Sequence, residues 1–305
     1  MRIMRRSWGA LNLVILSCSL GVTLPALAIS PNFVAIDAPG AVSTSAVGVS
    51  SAGQIMGVFK DAAGMSHGFL RTADGTFTTI DVPGATLTAT AGINRAGQIV
   101  GMFQDAGGTH GFVRTASGAL SAFTMFDVPG ATGTSAHGIN DAGQIVGSFG
   151  PAGKSHGFLR SASGALNADN IAFTTIDVPG AAVTLANGIN GAGQIVGGFF
   201  DAGGKAHGFV RTATGAFTTI DVPGATYTGA SGINDGGQIV GIFFGPAGKA
   251  HGFLRTADGT FTRIDVPGAT DTYALSINDA AQIVGFFHDA GGREHGFLRS
   301  SGKSN

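Results

Sequence analysis

Glutamate is almost missing from this chain of 305 residues: Glu294 is the only one. Cysteine and tryptophan occur once each, at Cys18 and Trp8, tyrosine only at Tyr227 and Tyr273, and charged residues make up just 11%. Each scarcity excludes something. A single Cys cannot close an internal disulfide, so the fold is held by its core. A glutamate acid or base would have to be Glu294 itself. Two Tyr and no Trp beyond residue 28 leave few platforms on which a sugar could stack, which weakens a glycosidase reading based on Asp pairs.

The first 28 residues explain some of these gaps. Arg2, Arg5 and Arg6 precede an apolar run from Ala10 to Leu27 that ends in Ala26-Leu27-Ala28. That pattern predicts a secretory signal peptide with a small-x-small cleavage site, so the chain is expected to be exported to the periplasm, the cell surface or the medium. Ile15-Leu16-Ser17-Cys18 is a poor lipobox and Arg5-Arg6 a weak twin-arginine signal, both lesser readings. Removing the segment leaves 14 basic and 18 acidic residues, a balance that excludes nucleic acid as a partner. No later run is long enough to span a membrane as a helix. Residues 29–305 are expected to form a single domain.

What the chain has in abundance is Gly (52), Phe (22) and apolar residues generally (44%), with a mean hydropathy of +0.30. So much Gly disfavours helix, so much apolar surface disfavours disorder, and the absence of a three-residue Gly period excludes collagen. An all-β fold follows.

The glycines belong to a repeat. Asp-x-Pro-Gly recurs at Asp37, Asp81, Asp127, Asp177, Asp221 and Asp265, 44 to 50 residues apart. Each unit carries a Gln-Ile pair, His-Gly-Phe (His67, His110, His156, His207, His251, His295) and an Arg four residues after that His. Extra residues enter only between His and the next Asp, at 117–122 and 161–172, as surface insertions do. Within a unit four strands are predicted, for example Thr86–Ile93, Gln98–Phe103, Gly111–Thr115 and Phe123–Phe126, termed A to D. Asn94-Arg95-Ala96-Gly97 suits a type I turn and Val82-Pro83-Gly84-Ala85 a type II turn. Strands B to D read as apolar on both faces, the mark of sheets packed between neighbours.

Six four-stranded units of this length predict a six-bladed β-propeller. The chain opens with a lone strand D (Phe33 to Asp37) and ends after a strand C (Phe297 to Arg299), so the first strand is expected to complete the last blade. A β-solenoid with two coils per repeat is the alternative.

The stretch Gly138 to Gly147 (Gly-Ile-Asn-x-x-Gly-Gln-Ile-Val-Gly), followed by His156 to Arg160 (His-Gly-Phe-Leu-Arg), resembles the bacterial extracellular HAF repeat, named for a His-Ala-Phe core. All six units share the pattern, with Gly replacing the central Ala, Arg where the family often has Trp, and Asp-Val-Pro-Gly where Leu-Gly-rich segments are common. The resemblance implies export and a repeat fold, and no particular activity.

The repeated His and Asp could be chemical or structural. Pairing Thr72 with Thr76 places His67 opposite Asp81, and the same separation holds for His207 and Asp221 and for His251 and Asp265. A cross-strand hydrogen bond is the simpler expectation, since one His and one Asp per blade supply too few ligands for zinc. The turn residues Asp61, Asp105, Asp201 and Asp289 would suit calcium, but Gly150-Pro151 and Gly245-Pro246 replace them in two units, as turns allow and a shared ligand set does not. No cofactor is expected; calcium is the one considered.

A ligand near a sixfold axis must be met by residues that break the repeat. In strand A, the inner strand, Thr44, Thr88, Thr134, Thr184, Thr228 and Thr272 recur, while alternate positions vary. Residues two apart share a face. One face is thus expected to be constant and the other individual, and His137, Asn187, Tyr227, Asp271 and Tyr273 are its candidate ligand-binding members. The function expected is an exported scaffold that binds an extracellular or cell-envelope ligand. The alternative is a metal-assisted hydrolase or lactonase at the channel, for which Asp271 is the one acid that falls on the individual face.

Overall fold

The computed structural model describes residues 32–115, 123–151, 154–161 and 172–300. The predicted leader and most of the two insertions lie outside the described residues. Among the described residues, twenty-four strands form six four-stranded antiparallel sheets. The first blade runs β2 (Ser43–Val49), β3 (Ile55–Lys60), β4 (Ser66–Arg71) and β5 (Phe77–Ile80), and each following group of four repeats this order. The sixth blade consists of β22 (Asp271–Ile277), β23 (Ile283–His288) and β24 (Glu294–Arg299), completed by β1 (Phe33–Ile36) as its outer strand. The chain is a six-bladed β-propeller.

Its turns follow from the sequence. The Val82 carbonyl accepts the Ala85 N–H at 3.1 Å across Pro83-Gly84, with Gly84 at φ +82°, the conformation a type II turn demands of its third residue. Each A–B turn is closed by an Asn carbonyl or its Ser50 equivalent, as in Gly97 N–H to Asn94 O at 3.0 Å.

The core lies between the blades. Each cluster of buried apolar residues straddles one seam: Val100 and Val113 of blade 2 pack with Ala136, Ile139, Ile145 and Phe158 of blade 3, and Val284 of blade 6 packs with Ala46, Val49, Ile55 and Phe69 of blade 1. The Phe of every His-Gly-Phe is essentially fully buried, which contributes roughly 1.5–3 kcal/mol each.

One expectation is corrected. Strand D is not buried on both faces: it is outermost, and the two central residues of Phe77-Thr-Thr-Ile80, like those of four of the five equivalent strands, are exposed. Only its end residues reach the core, because no further strand covers it. Two of the recurring Arg lie over the strand D ring of their own blade: Arg71 is 5.9 Å from the Phe77 centroid and Arg211 5.9 Å from Phe217. Arg160 instead sits 4.9 Å over Phe126 and is fully buried, and burial lowers its pKa.

Candidate functional site

The constant residues are absorbed by architecture. Every repeated Thr of strand A is buried, and its Oγ1 accepts the N–H of the residue six positions earlier, at 3.0–3.1 Å from Thr44 through Thr272. His67 Nδ1 lies 2.9 Å from Asp81, His207 Nδ1 2.9 Å from Asp221 and His251 Nδ1 2.8 Å from Asp265. The pairs in the remaining blades are His110 with Asp127, His156 with Asp177, and His295 with Asp37, the last joining the two ends of the ring. Each imidazole packs on a strand B phenylalanine, with ring centroids 5.1–5.4 Å apart.

In four blades the B–C turn Asp approaches the other ring nitrogen, as Asp61 does His67 Nε2 at 3.5 Å. The same Asp61 carboxylate accepts the N–H groups of Ala63 and Met65, so it caps its own turn. Among the described residues no group of three or more His, Cys, Asp or Glu side chains converges as metal ligands would.

These pairs carry a signed pH dependence. Asp37 and Asp289 hold His295 above the ordinary 6.5 despite burial, and His110 and His67 are raised likewise. A raised folded-state pKa gives stability that is full below the unfolded value and is lost as pH rises through the folded one. His295→Phe keeps the ring packing and removes the nitrogens. Its destabilisation, measured as the difference in Tm from wild type, is expected to be larger at pH 5.5 than at pH 8.5. A pH-independent difference would show that the pair carries no charge. The comparison must be differential because the buried His137, whose pKa desolvation lowers, pulls the whole-protein curve the other way.

The individual residues divide into two groups, which corrects the expectation of one continuous face. Strand A is bulged at one place in every blade: Ala136 pairs with Gly147 and Gly138 with Val146, leaving His137 without a cross-strand partner. The same irregularity falls at Val47, Ala91, Asn187, Ser231 and Leu275. A bulge turns its extra residue out of the sheet alternation. Here all six turn onto the axis, where they line a cavity of about 110 Å³ together with Leu87, Ala89 and Met102 on the side of blade 2. The glycine after the bulge lets the inner strands crowd together: a Cβ on Gly138 would lie 3.2 Å from the Cα of Gly188 in the next blade.

Two of the ring's six residues carry strongly polar side chains. His137 Nδ1 lies 3.0 Å from the Ala186 carbonyl, and Asn187 donates through Nδ2 to the Ala230 carbonyl at 2.9 Å, each reaching the neighbouring blade. Ser148 Oγ stands 3.4 Å from His137 Nε2. Desolvation keeps His137 neutral at neutral pH, so the channel is apolar with hydrogen-bonding groups and without charge at this level.

Tyr227, Asp271 and Tyr273 do not line this cavity. They sit at the end of the channel that carries the D–A and B–C turns. Tyr227 packs on Phe244 at 4.8 Å, and its hydroxyl pKa is raised by burial and by the nearby Tyr273. Tyr273 stacks on Phe286, centroids 4.3 Å and planes 9° apart. Asp271 Oδ1 accepts the Ala250 N–H of blade 5 at 2.9 Å. It is not the only acid here, as the sequence suggested: Asp271 pairs across the ladder with His288, and His288 with Glu294, so one row of blade 6 reads Asp-His-Glu. Reading strand A alone missed His288 and Glu294. Their signal was available, since His288 and His137 are the two His outside the repeat and Glu294 is the only Glu.

Also missed was a ladder at the opposite end. Asn94 Nδ2 donates to Gln98 Oε1 within its turn and to the Asn140 carbonyl of the next blade, and the relay continues through Asn140, Asn190, Asn234 and Asn278 to the Ser50 carbonyl. Blade 1 has Ser50 in place of the Asn, so the seam to blade 2 lacks this side-chain link.

With the geometry in place, comparison with solved structures finds the same architecture. Over 85% of this chain and 91% of its own length, the fungal lectin of Aleuria aurantia, a six-bladed β-propeller that recognises fucose, superposes with a TM-score of 0.54 at 13% identity. TolB from Acinetobacter baumannii superposes over 81% of this chain and 64% of TolB (TM-score 0.56, 13% identity), and a prolyl endopeptidase over 88% of this chain and 44% of its own (0.55, 13%). At such identity the likeness is one of fold. The chain spans less than two thirds of TolB and less than half of the endopeptidase. No protein-family model matches the chain, and no curated protein is similar to it in sequence.

Proposed function

We propose that the protein is an exported recognition scaffold that holds a small ligand of the cell envelope or its surroundings in the central channel. One observation carries this reading: in each of six otherwise closely repeated blades, the residue that the bulge turns onto the axis is different (Val47, Ala91, His137, Asn187, Ser231, Leu275), while its neighbours are constant Ala or Thr before and mostly Gly after. A purely structural ring would use one residue six times. An apolar cavity with a few polar groups is the usual lining of a small-molecule site, and a volume of about 110 Å³ limits the occupant to a molecule no larger than roughly benzene. The lectin that shares the fold recognises fucose, which agrees with a binding role and leaves the ligand of this chain open.

The two tyrosines stand at the mouth and are the only Tyr, with no Trp beyond residue 28, so intrinsic tyrosine fluorescence reports on this end of the channel. A library of small apolar and amphipathic molecules screened by that signal and by thermal shift is expected to give ligands of the wild type. Ala91→Phe, which fills the cavity, should abolish their binding while the protein stays folded. Ligands that bind the filled variant equally well would overturn the channel reading.

A further inference from the structure

We propose that the channel cavity takes a small neutral alcohol, with its apolar chain against blades 1 and 2 and its hydroxyl on His137 and Asn187 of blades 3 and 4. This deepens the channel reading and rests on it. The two sides of the cavity differ. The side of blades 1 and 2 is largely apolar, with Val58, Leu87 and Met102, and Thr90 there gives its hydroxyl to the Gly57 carbonyl at 2.6 Å. The polar groups stand on the other side, on the bulges of blades 3 to 5. His137, Asn187 and Ser231 are only part-buried and line the cavity, so its free space reaches them.

The hydrogen bonds already made select the class of ligand. A carbonyl can only accept, so the 3.0 Å contact with Ala186 places the proton of the neutral His137 ring on Nδ1 and leaves Nε2 an acceptor. Ser148 Oγ stands 3.4 Å from Nε2, longer than an ordinary hydrogen bond, so this acceptor has capacity for a better donor. Asn187 gives one N–H to the Ala230 carbonyl at 2.9 Å, which leaves it a second N–H to donate and an oxygen that accepts. Its side chain also acts on the His137 ring, so the two groups stand together. A hydroxyl suits both, donating to one and accepting from the other; a ketone or an ether cannot donate. A charged ligand is disfavoured, because none of the described residues lining the cavity is Asp, Glu, Lys or Arg, and an ion buried without a partner is costly. The volume of about 110 Å³ sets the size. An apolar cavity of roughly 150 Å³ binds benzene, so about five non-hydrogen atoms fit here.

Saturation-transfer NMR on the protein tests this with butan-2-ol, butanone and diethyl ether, which match in size and differ in whether they can donate. The sec-butylammonium and propanoate ions serve as charged probes. Butan-2-ol is expected to bind saturably in roughly the millimolar range, about tenfold more tightly than the ketone or the ether. Ala91→Phe should abolish binding of every probe. His137→Leu and Asn187→Leu install the residue that blade 6 carries at the same bulge, Leu275, and each should shrink the advantage of the alcohol over the ketone several-fold. That ratio is taken within each variant, so a general loss of affinity does not move it, and a variant that fails to fold leaves the other to decide. The alcohol assignment is overturned, and the channel reading spared, if ketone and alcohol bind the wild type equally and both are lost in Ala91→Phe. It is also overturned if butan-2-ol does not bind saturably, if a charged probe is preferred, or if the ratio is unchanged in both leucine variants. Binding that survives Ala91→Phe would overturn both readings.

Discussion

Gly101→Ala is expected to destabilise the protein by about 3 kcal/mol or more, lowering Tm by roughly 6–12 °C. Gly101 is the strand B glycine of the Gln-Ile-Val-Gly run. A Cβ there would stand 2.1 Å from the carbonyl oxygen of Ala89 on strand A and 2.9 Å from the ring of Phe112 on strand C. No side-chain rotation relieves the first contact, because the atom met is backbone. Its φ lies outside the left-handed region, so alanine would otherwise gain from a less flexible unfolded chain. The loss is therefore steric in origin. The same contact, at 1.8–2.1 Å, recurs at Gly57, Gly147, Gly197, Gly241 and Gly285. Gly84→Ala supplies the contrast. It has φ +82° and open space around its Cβ, and its cost is expected to be about 1 kcal/mol, the backbone preference alone. Calorimetry on the two variants decides: equal losses would refute the packing account.

Removing the residues before Ala38 is expected to cost about 5 kcal/mol or more, a large part of the 5–15 kcal/mol that stabilises a typical domain. The deletion takes away β1, whose four residues pair with β24. Ile36, 2% exposed, leaves the blade 6 to blade 1 core, at roughly 1.5–3 kcal/mol for a buried aliphatic side chain. Phe33 leaves its edge-on contact with Phe297 at 5.8 Å, and Asp37 leaves His295. Blade 6 would then present an unpaired strand edge, and insoluble expression is the expected phenotype. Ile36→Asp provides a milder test in the full-length chain, with a marked drop in Tm expected. A deletion variant that melts with the wild type would show that closure by the first strand is dispensable.

Much of this fold was legible in the sequence because the fold is one solution repeated six times. A turn residue such as Gly84 or a cross-strand pair such as His67 and Asp81 is read from local spacing, and six copies turn a weak pattern into a strong one. The lone strand at the start and the missing strand D at the end pointed to closure. The site was less legible. Simple alternation put Tyr273 and His137 on one face, but the bulge shifts the period by one residue, and nothing local in Ala136-His137-Gly138 announces it. Glu294 was visible as an oddity, but its role depends on Ser45, 249 positions away in the chain.

By itself, then, the sequence determined the all-β class, the number of blades, the turns and the His-Asp pairs, since all of these arise from contacts within one repeat or between adjacent strands. Only the tertiary structure decided which of the unrepeated residues meet. Closing the ring brings six inner strands onto one axis and sets blade 6 against blade 1, and those distances depend on the twist and packing of the whole assembly. The axis therefore collects His137 and Asn187, the last seam brings Ser45 to Glu294, and no pairwise spacing along the chain encodes either meeting.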